Sequence, residues 1–245
     1  MQITIAKTTE EMGRLAAARI AQYLNQAIAQ KGEARLLLST GASQFEMMDA
    51  LTREKVDFSK VTMFHLDEYV GLPVTHKASF RKYLKERFVD RVSLKEAVFV
   101  NGEGDVEQHI AALTRRLKEA PIDVGVIGIG ENGHIAFNDP PAEFETDKSY
   151  KVVTLDERCR RQQVGEGWFA TVEDVPRQAI SMTVPQIMQC GVIISVVPHQ
   201  VKAEAVENTL RRPVNPFVPA TMLKRHPDWH LFLDADSARG FLQLD

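Results

Sequence analysis

Only two cysteines, Cys159 and Cys190, occur among the 245 residues, and their spacing matches no metal-binding motif. This scarcity excludes a disulfide-rich framework and is typical of reduced thiols in a cytoplasm. The net charge of −3 provides no basic surplus, so we expect no nucleic acid partner. No apolar run approaches the roughly 20 residues that span a membrane, and no signal peptide is apparent. We therefore expect a cytoplasmic protein with no membrane association.

Apolar runs rich in β-branched residues alternate with helix-like segments along the whole chain. The clearest strand candidates are ARLLLST (34–40), VTMFHL (61–66), DVGVIGI (123–129) and GVIISVVP (191–198). Continuous apolar runs of this length are typical of strands buried on both faces of a parallel sheet. The alternation predicts an α/β fold: a single doubly wound, mostly parallel sheet of Rossmann-like type, with helices on both faces and one domain over 1–245.

Two further segments predict helices. Residues 76–90 place Phe80, Leu84 and Phe88 inward and a set of charged side chains, including Arg81, toward solvent. Residues 179–190 are read as a helix that precedes the strand at 191–198.

The stretch 123–140, DVGVIGIGENGHIAFNDP, carries the strongest functional signal. A buried strand runs into a glycine turn, and polar residues follow directly, among them Asn132, His134 and Asp139. Functional sites of α/β proteins form at the carboxyl ends of strands in this way. We expect the chemistry here.

The same glycines offer an alternative, because Gly128, Gly130 and Gly133 match the dinucleotide-binding fingerprint. That fingerprint requires a long helix that starts at the third glycine and directs its N-terminus at a pyrophosphate. Pro140 and Pro141 follow too soon for such a helix. The sequence therefore disfavours dinucleotide binding.

A second candidate site is the turn from Thr40 to Ser43, between a strand and a helix. Free backbone N–H groups, two hydroxyls and the start of a helix form an anion-binding arrangement. A simple helix cap at Ser43 is the alternative interpretation, and the turn by itself leaves both open.

Two adjacent carboxylates, Asp67 and Glu68, follow the strand at 61–66. Because side chains alternate along a strand, we expect only one of them to enter a given cleft. A turn cap is again the alternative. If the strand ends converge, an anion cradle, a carboxylate and a histidine share one crevice, which indicates proton-transfer chemistry on a phosphorylated small molecule.

Cationic side chains near two helix starts are additional phosphate-binding candidates. Arg158, Arg160 and Arg161 form a cluster, although solvated surface arginines are the more frequent case. Lys202 lies near the start of a helix predicted over 200–211, where the helix dipole disfavours a cation. A ligand would explain that placement.

Three motifs together resemble one enzyme family. LDEYVGL (66–72), GENGHIAFND (130–139) and STGAS (39–43) resemble glucosamine-6-phosphate deaminase, within the superfamily of sugar-phosphate isomerases and 6-phosphogluconolactonases. The likeness extends over nearly the whole chain. The lactonases share the glycine–histidine core but usually continue Ser-Leu-Phe-Pro, whereas this sequence continues as the deaminases do.

The resemblance implies a role for each matching residue. Asp67 matches the base that moves a proton between C2 and C1 during aldose–ketose isomerisation, and His134 matches the group that assists ring opening. The implied catalytic set is Asp67, His134, Asn132 and Asp139. The implied substrate-binding set is Thr40, Gly41, Ala42, Ser43, Lys202, Arg160 and Gln163. The family implies an amino-sugar phosphate as substrate, and neither a redox cofactor nor a catalytic metal.

Four positions depart from the family pattern. Asn132 stands where some members have Asp, Asp139 where Glu is usual, Gln163 where an arginine grips the phosphate, and Ala42 where the turn has glycine. These departures leave the substrate open, with galactosamine 6-phosphate as one alternative. A lactonase of the same fold and a non-catalytic sugar-phosphate sensor are the others. The sequence does not determine the oligomeric state, and a homo-oligomer is one of the alternatives.

Overall fold

The chain folds around a parallel sheet that is flanked by helices. The computed structural model describes residues 1–242, so residues 243–245 of the predicted domain lie outside the described residues. The strands are β1 (Gln2–Ala6), β2 (Ala34–Leu38), β3 (Val61–His65), β4 (Asp67–Tyr69), β5 (Glu96–Val98), β6 (Val124–Val126), β7 (Tyr150–Thr154), β8 (Gln178–Met182), β9 (Val192–Val197) and β10 (Trp229–Asp234). The helices are α1 (Thr9–Lys31), α2 (Phe45–Leu51), α3 (Phe80–Arg87), α4 (Val106–Lys118), α5 (Glu157–Gly165), α6 (Val184–Ile187), α7 (Ala203–Arg211) and α8 (Arg239–Leu242).

The large sheet has the strand order β1-β10-β9-β6-β2-β3-β5 within residues 1–242. Each neighbouring pair is parallel. Parallel strands require crossover connections, and the helices between the strands provide them. The predicted α/β fold with a mostly parallel sheet is confirmed.

Both faces of the large sheet are buried, as β9 illustrates. Val192, Ile194 and Val196 join the hydrophobic cluster that also contains residues of α1, α2 and α3. Ile193 and Val197 join the cluster on the opposite face, with residues of α4, α6 and α7. Alternate side chains of one strand therefore contact different helix layers, which explains why every residue of this strand is buried and why all but Ser195 are apolar.

A small antiparallel sheet with the order β4-β8-β7 accompanies the large one and was not expected from the sequence. The helix predicted over 179–190 is wrong in its first half, because β8 pairs there with β4 and β7. Only Val184–Ile187 is helical, after a cap at Thr183. Periodicity alone does not separate a short buried strand from a short buried helix, and the pairing partners decided between them.

Two kinds of helix were not expected from the sequence: a long helix after the glycine turn and a helix that spans a membrane. Residues 127–149, all within the described part of the chain, contain no helix, so the glycine turn does not open the long helix that dinucleotide binding requires. Among residues 1–242, no helix combines the length and the apolar character needed to cross a membrane.

Candidate active site

A pocket opens at the carboxyl ends of β9, β6, β2 and β3, which are consecutive in the large sheet. Its volume is about 200 Å³. This is below the roughly 300–1,000 Å³ of pockets for drug-sized ligands and fits one compact molecule. The predicted site residues that line it are Thr40, Gly41, Ala42, Ser43, Asp67, His134, Gln163 and Lys202.

The turn at residues 40–43 forms one wall of the pocket. Gly41 has a φ of 104°, in a region that side chains other than glycine rarely adopt. Its carbonyl accepts hydrogen bonds from the Tyr83 hydroxyl at 2.9 Å and from the Gln44 backbone N–H at 3.1 Å. A short 3₁₀ helix, Ala42–Gln44, begins there, and the first N–H groups of a helix have no partner within it. The turn can therefore offer N–H donors to an anion.

Asp67 is the first residue of β4, which follows β3 after Leu66. Its side chain lines the pocket. The residue is only 6% exposed. Burial raises the pKa of the Asp67 carboxyl to about 8, and the negative charge of Glu68 contributes to the rise. Once deprotonated, this carboxylate is a stronger base than an ordinary aspartate, which suits proton abstraction.

Glu68 points away from the pocket, as the alternation along a strand predicts. Its Oε2 accepts hydrogen bonds from the Ser79 hydroxyl at 2.7 Å and from the Arg81 backbone N–H at 3.0 Å and Nε at 3.2 Å. Its Oε1 accepts one from the Phe80 backbone N–H at 3.2 Å. A fully buried carboxylate thus holds the first turn of α3, and Phe80 in that turn lines the pocket.

The solvent-facing position predicted for Arg81 is wrong, because Arg81 is 7% exposed and pairs with Glu68. Its guanidinium also donates to Asn101 Oδ1 at 2.7 Å, the Leu72 carbonyl at 3.0 Å and Glu103 Oε2 at 2.8 Å. The charge pattern of a helix does not reveal a buried carboxylate that a different strand supplies.

The raised pKa of Asp67 predicts a pH-dependent stability difference. The ordinary pKa is 3.8 and the folded-state value is about 8, so the folded protein binds the proton more tightly. Stability from this group is complete below pH 3.8 and is lost as pH rises to about 8. Asp67→Asn removes that loss, because the amide does not ionise. At pH 8 the free energy of unfolding of the variant should therefore exceed that of the wild type by on the order of 2–5 kcal/mol. Urea unfolding at pH 5 and pH 8 measures the gap, which should be much smaller at pH 5.

For Asp139→Asn we expect a stability difference of the opposite sign, with the variant less stable than the wild type at pH 8. The pKa of Asp139 is lowered, because the hydrogen bonds and charge of its polar neighbours outweigh the effect of burial, which alone would raise it. Its ionised form therefore stabilises the fold above the ordinary pKa of 3.8. A gap for Asp67→Asn that stays constant with pH, or that has the same sign as the Asp139→Asn gap, would contradict the assignment.

His134 is oriented by its own loop. Its Nδ1 lies 2.6 Å from Asn132 Oδ1 and 3.3 Å from Asp139 Oδ1, and Asn132 Nδ2 donates to Asp139 Oδ1 at 3.1 Å. Because Nδ1 faces two oxygen atoms, it carries the proton in the neutral ring, which leaves Nε2 as the basic nitrogen. Gly130 is required here, since a Cβ on it would lie 2.2 Å from the His134 ring.

Lys202 introduces a positive charge into the pocket although it is only 8% exposed. Among residues 1–242, its ammonium has no carboxylate within ion-pair distance and no hydrogen-bond acceptor. Burial lowers the pKa of Lys202, and the charges of Glu166 and Glu131 oppose that shift. An ammonium that opens into a pocket from a largely buried side chain, without a protein partner, indicates an anionic ligand.

Three predicted site residues do not line the pocket. Asn132 and Asp139 lie behind His134 and contact its ring, so they can act only through it. Arg160 is not brought to the pocket wall, and its guanidinium donates to the Val172 carbonyl.

The structure also adds pocket residues that the sequence did not suggest. Glu166 and Trp168 come from an irregular segment after α5, and no local pattern marks them. His199 has a φ of 76°, unusual for a residue other than glycine, and its backbone N–H donates to Asp234 Oδ2 at 2.9 Å. Only tertiary contacts identify these residues.

Comparison with known proteins identifies the family. Residues 7–231 match the family described as glucosamine-6-phosphate isomerases/6-phosphogluconolactonase. A glucosamine-6-phosphate deaminase of Listeria monocytogenes is 37% identical over 84% of this chain and 88% of its own length. One from Streptococcus pneumoniae is 35% identical over 84% of this chain and 86% of its own.

Solved structures of proteins with the same fold include a member of the same family. A monomeric glucosamine-6-phosphate deaminase superposes with a TM-score of 0.90 at 28% identity, over 98% of this chain and 100% of that one. A 6-phosphogluconolactonase of Trypanosoma brucei shares the fold, with a TM-score of 0.81 at 15% identity over 97% of each chain. The pocket, its strand-end position and these matches lead to one conclusion: the chain belongs to the glucosamine-6-phosphate isomerase/6-phosphogluconolactonase family of enzymes.

Proposed function

We propose that this protein converts an amino-sugar 6-phosphate, glucosamine 6-phosphate first, into the ketose phosphate and ammonia. One observation carries the proposal: a single pocket combines the unpaired ammonium of the largely buried Lys202 with the buried carboxyl of Asp67. The first group suits a phosphate, and the second suits abstraction of a proton from carbon. The relatives named glucosamine-6-phosphate deaminase support the same reaction.

The phosphate end of the substrate is assigned to the turn at 40–43 and to Lys202. The turn supplies N–H donors and the Ser43 hydroxyl, and the lysine supplies a charge in a site largely removed from water. The Tyr83 hydroxyl holds the Gly41 carbonyl and so fixes the shape of the turn before the ligand arrives.

Ring opening is assigned to His134. Its Nε2 takes the proton of the C1 hydroxyl as the C1–O5 bond breaks, and the ring oxygen regains a proton. Asn132 and Asp139 stabilise the protonated imidazole, since both present oxygen atoms to Nδ1.

Isomerisation is assigned to Asp67. The carboxylate removes the proton from C2 of the open aldehyde as O1 gains a proton, which gives an enolamine. The proton then returns at C1 as the amino nitrogen loses one, which gives the C2 imine. Water then adds to C2, the C–N bond breaks, and ammonia leaves with the proton it requires. The sum is one water consumed and one ammonia released, without oxidation or reduction.

Ammonia release from a panel of substrates tests the function. Glucosamine, galactosamine and mannosamine 6-phosphates and 6-phosphogluconolactone are each incubated with the protein, and ammonia and lactone hydrolysis are measured. We expect ammonia from glucosamine 6-phosphate and no lactone hydrolysis. Preference for the galactosamine epimer would correct the substrate, lactone hydrolysis would favour a lactonase, and binding without turnover would indicate a sensor.

Lys202→Ala should raise KM by roughly 10- to 150-fold, equivalent to the 1.5–3 kcal/mol of a hydrogen bond to a charged group. Steady-state ammonia release measures the change. Lys151→Ala is the matched control, because Lys151 pairs with Glu143 outside the pocket and should leave KM unchanged. An unchanged KM in Lys202→Ala would contradict the phosphate placement.

A cytoplasmic location and a homo-oligomer also remain proposals. Both cysteines are free and buried, as in a reducing compartment.

A further inference from the structure

Tyr69 and Gln163 form a buried hydrogen bond at the edge of the pocket. The Tyr69 hydroxyl donates to Gln163 Oε1 at 2.9 Å. Tyr69 is fully buried and Gln163 is 7% exposed, and of the two only Gln163 lines the pocket. The bond links β4, which begins with Asp67, to α5.

The direction of this hydrogen bond follows from the burial of Tyr69. Burial raises the pKa of the Tyr69 hydroxyl well above its ordinary value, so the group keeps its proton. Among residues 1–242, Gln163 is its hydrogen-bond partner and no other acceptor is within reach. A buried hydroxyl without another acceptor must donate to the amide oxygen, since an unmade bond would be costly.

The Gln163 amide is therefore oriented. With Oε1 turned to Tyr69, Nε2 points away from it, and this nitrogen makes no hydrogen bond to the described residues. Within residues 1–242, Nε2 is not one of the polar atoms that are both buried and unpartnered, so it is accessible to solvent. Two N–H donors thus remain available on a residue of the pocket wall.

Tyr69 itself is held firmly. Its ring lies 5.1 Å from that of Phe80, 5.3 Å from Phe137 and 5.5 Å from Phe169, measured between centroids. Such an aromatic cluster fixes the ring plane and hence the position of the hydroxyl. The amide of Gln163 therefore has a fixed anchor before any ligand binds.

We propose that Gln163 Nε2 donates a hydrogen bond to an oxygen of the bound sugar phosphate, and that Tyr69 is the positioning residue that selects this amide orientation. The proposal rests on the proposed function for the identity of the ligand. A neutral amide adds a donor without adding charge, so it recognises an oxygen acceptor by geometry while Lys202 supplies the charge.

A double-mutant cycle tests the proposal. Tyr69→Phe, Gln163→Met and the double variant are compared with the wild type for KM and kcat of ammonia release and for calorimetric binding of glucosamine 6-phosphate. We expect Tyr69→Phe to raise KM roughly 3- to 10-fold, the size of one neutral hydrogen bond, with little change in kcat. Gln163→Met should raise KM at least as much, and adding Tyr69→Phe to it should change nothing further.

Tyr23→Phe is the matched control, because the Tyr23 hydroxyl bonds to Asp228 and His230 at 2.9 Å, away from the pocket. It should leave KM unchanged. Additive KM effects of Tyr69→Phe and Gln163→Met would overturn the positioning role, since a general structural role acts without Gln163. An unchanged KM in Tyr69→Phe would also overturn it.

The outcomes separate this inference from the proposed function. If the wild type binds glucosamine 6-phosphate but releases no ammonia, only the proposed function fails, and the cycle is then evaluated on the binding constants. If the wild type does not bind this ligand, both fail. Urea unfolding of each variant at one pH verifies that changes in KM do not reflect a loss of folded protein.

Discussion

Asp67→Asn should lower the rate of ammonia release by roughly 10²–10⁴-fold, the usual contribution of a general base. The amide keeps the shape of the side chain but cannot take a proton from C2. Steady-state kcat on glucosamine 6-phosphate measures the loss. Substrate binding should change much less, because the phosphate contacts assigned to Lys202 and the turn at 40–43 are untouched.

The pH profile and isotope incorporation give two further tests of the same assignment. The pKa of Asp67 is raised to about 8, and the base acts deprotonated. In the wild type, kcat/KM should therefore rise with pH up to about 8 and then level off, and Asp67→Asn should lack this limb. Turnover in heavy water should place deuterium at C1 of the ketose phosphate, in part if the carboxylate returns the original proton.

Glu131→Gln is a suitable control for Asp67→Asn, because Glu131 is a pocket carboxylate to which no base role is assigned. Its rate loss should be much smaller. Near-normal ammonia release by Asp67→Asn would show that the carbon base is another group, and the search would turn to the surroundings of His134.

Glu68→Gln should destabilise the fold by about 3–5 kcal/mol, because it leaves the guanidinium of Arg81 buried without its charge partner. The new amide group would also face donors at Ser79 and Arg81 where an acceptor is needed. The free energy of unfolding in urea measures the loss. Activity should fall as well, since the start of α3 places Phe80 in the pocket.

Glu103→Gln provides a matched control on the same guanidinium. Glu103 also pairs with Arg81, at 2.8 Å, but its side chain is 42% exposed. Exposed ion pairs contribute little to stability because water screens them, so this variant should be close to the wild type in stability. Equal losses in the two variants would refute the claim that the burial of Glu68 determines the effect.

The two carboxylates are therefore linked by more than sequence position. Hydrogen bonds from Ser79 and Arg81 hold Glu68 in place, and the charge of Glu68 contributes to the raised pKa of Asp67. One residue stabilises α3, while its neighbour gains basicity from burial and from that charge. Placing adjacent acids on opposite faces of a strand makes both effects compatible.

Much of the architecture was predictable from local pattern. Nearly continuous apolar runs such as 191–198, in which Ser195 is the polar residue, predicted buried parallel strands, because a strand covered on both faces has few polar positions. The alternation rule predicted that Asp67 and Glu68 diverge, since it depends on backbone geometry alone. The glycine-rich turn before His134 predicted a site at the end of a strand. Each of these features depends on a few neighbouring residues, so local sequence was sufficient to predict it.

Other features depended on contacts between segments far apart in the chain. Residues 178–182 became a strand because β4 and β7 were available to pair with them, although the sequence resembled a helix. Arg81 became buried because Glu68 offered a charge partner, and Arg160 turned from the pocket to the Val172 carbonyl. The orientation of the Gln163 amide depends on Tyr69, 94 positions away. Local sequence determines which groups are present and on which face they lie, whereas hydrogen-bond partners and burial depend on three-dimensional packing, which only the tertiary structure decided.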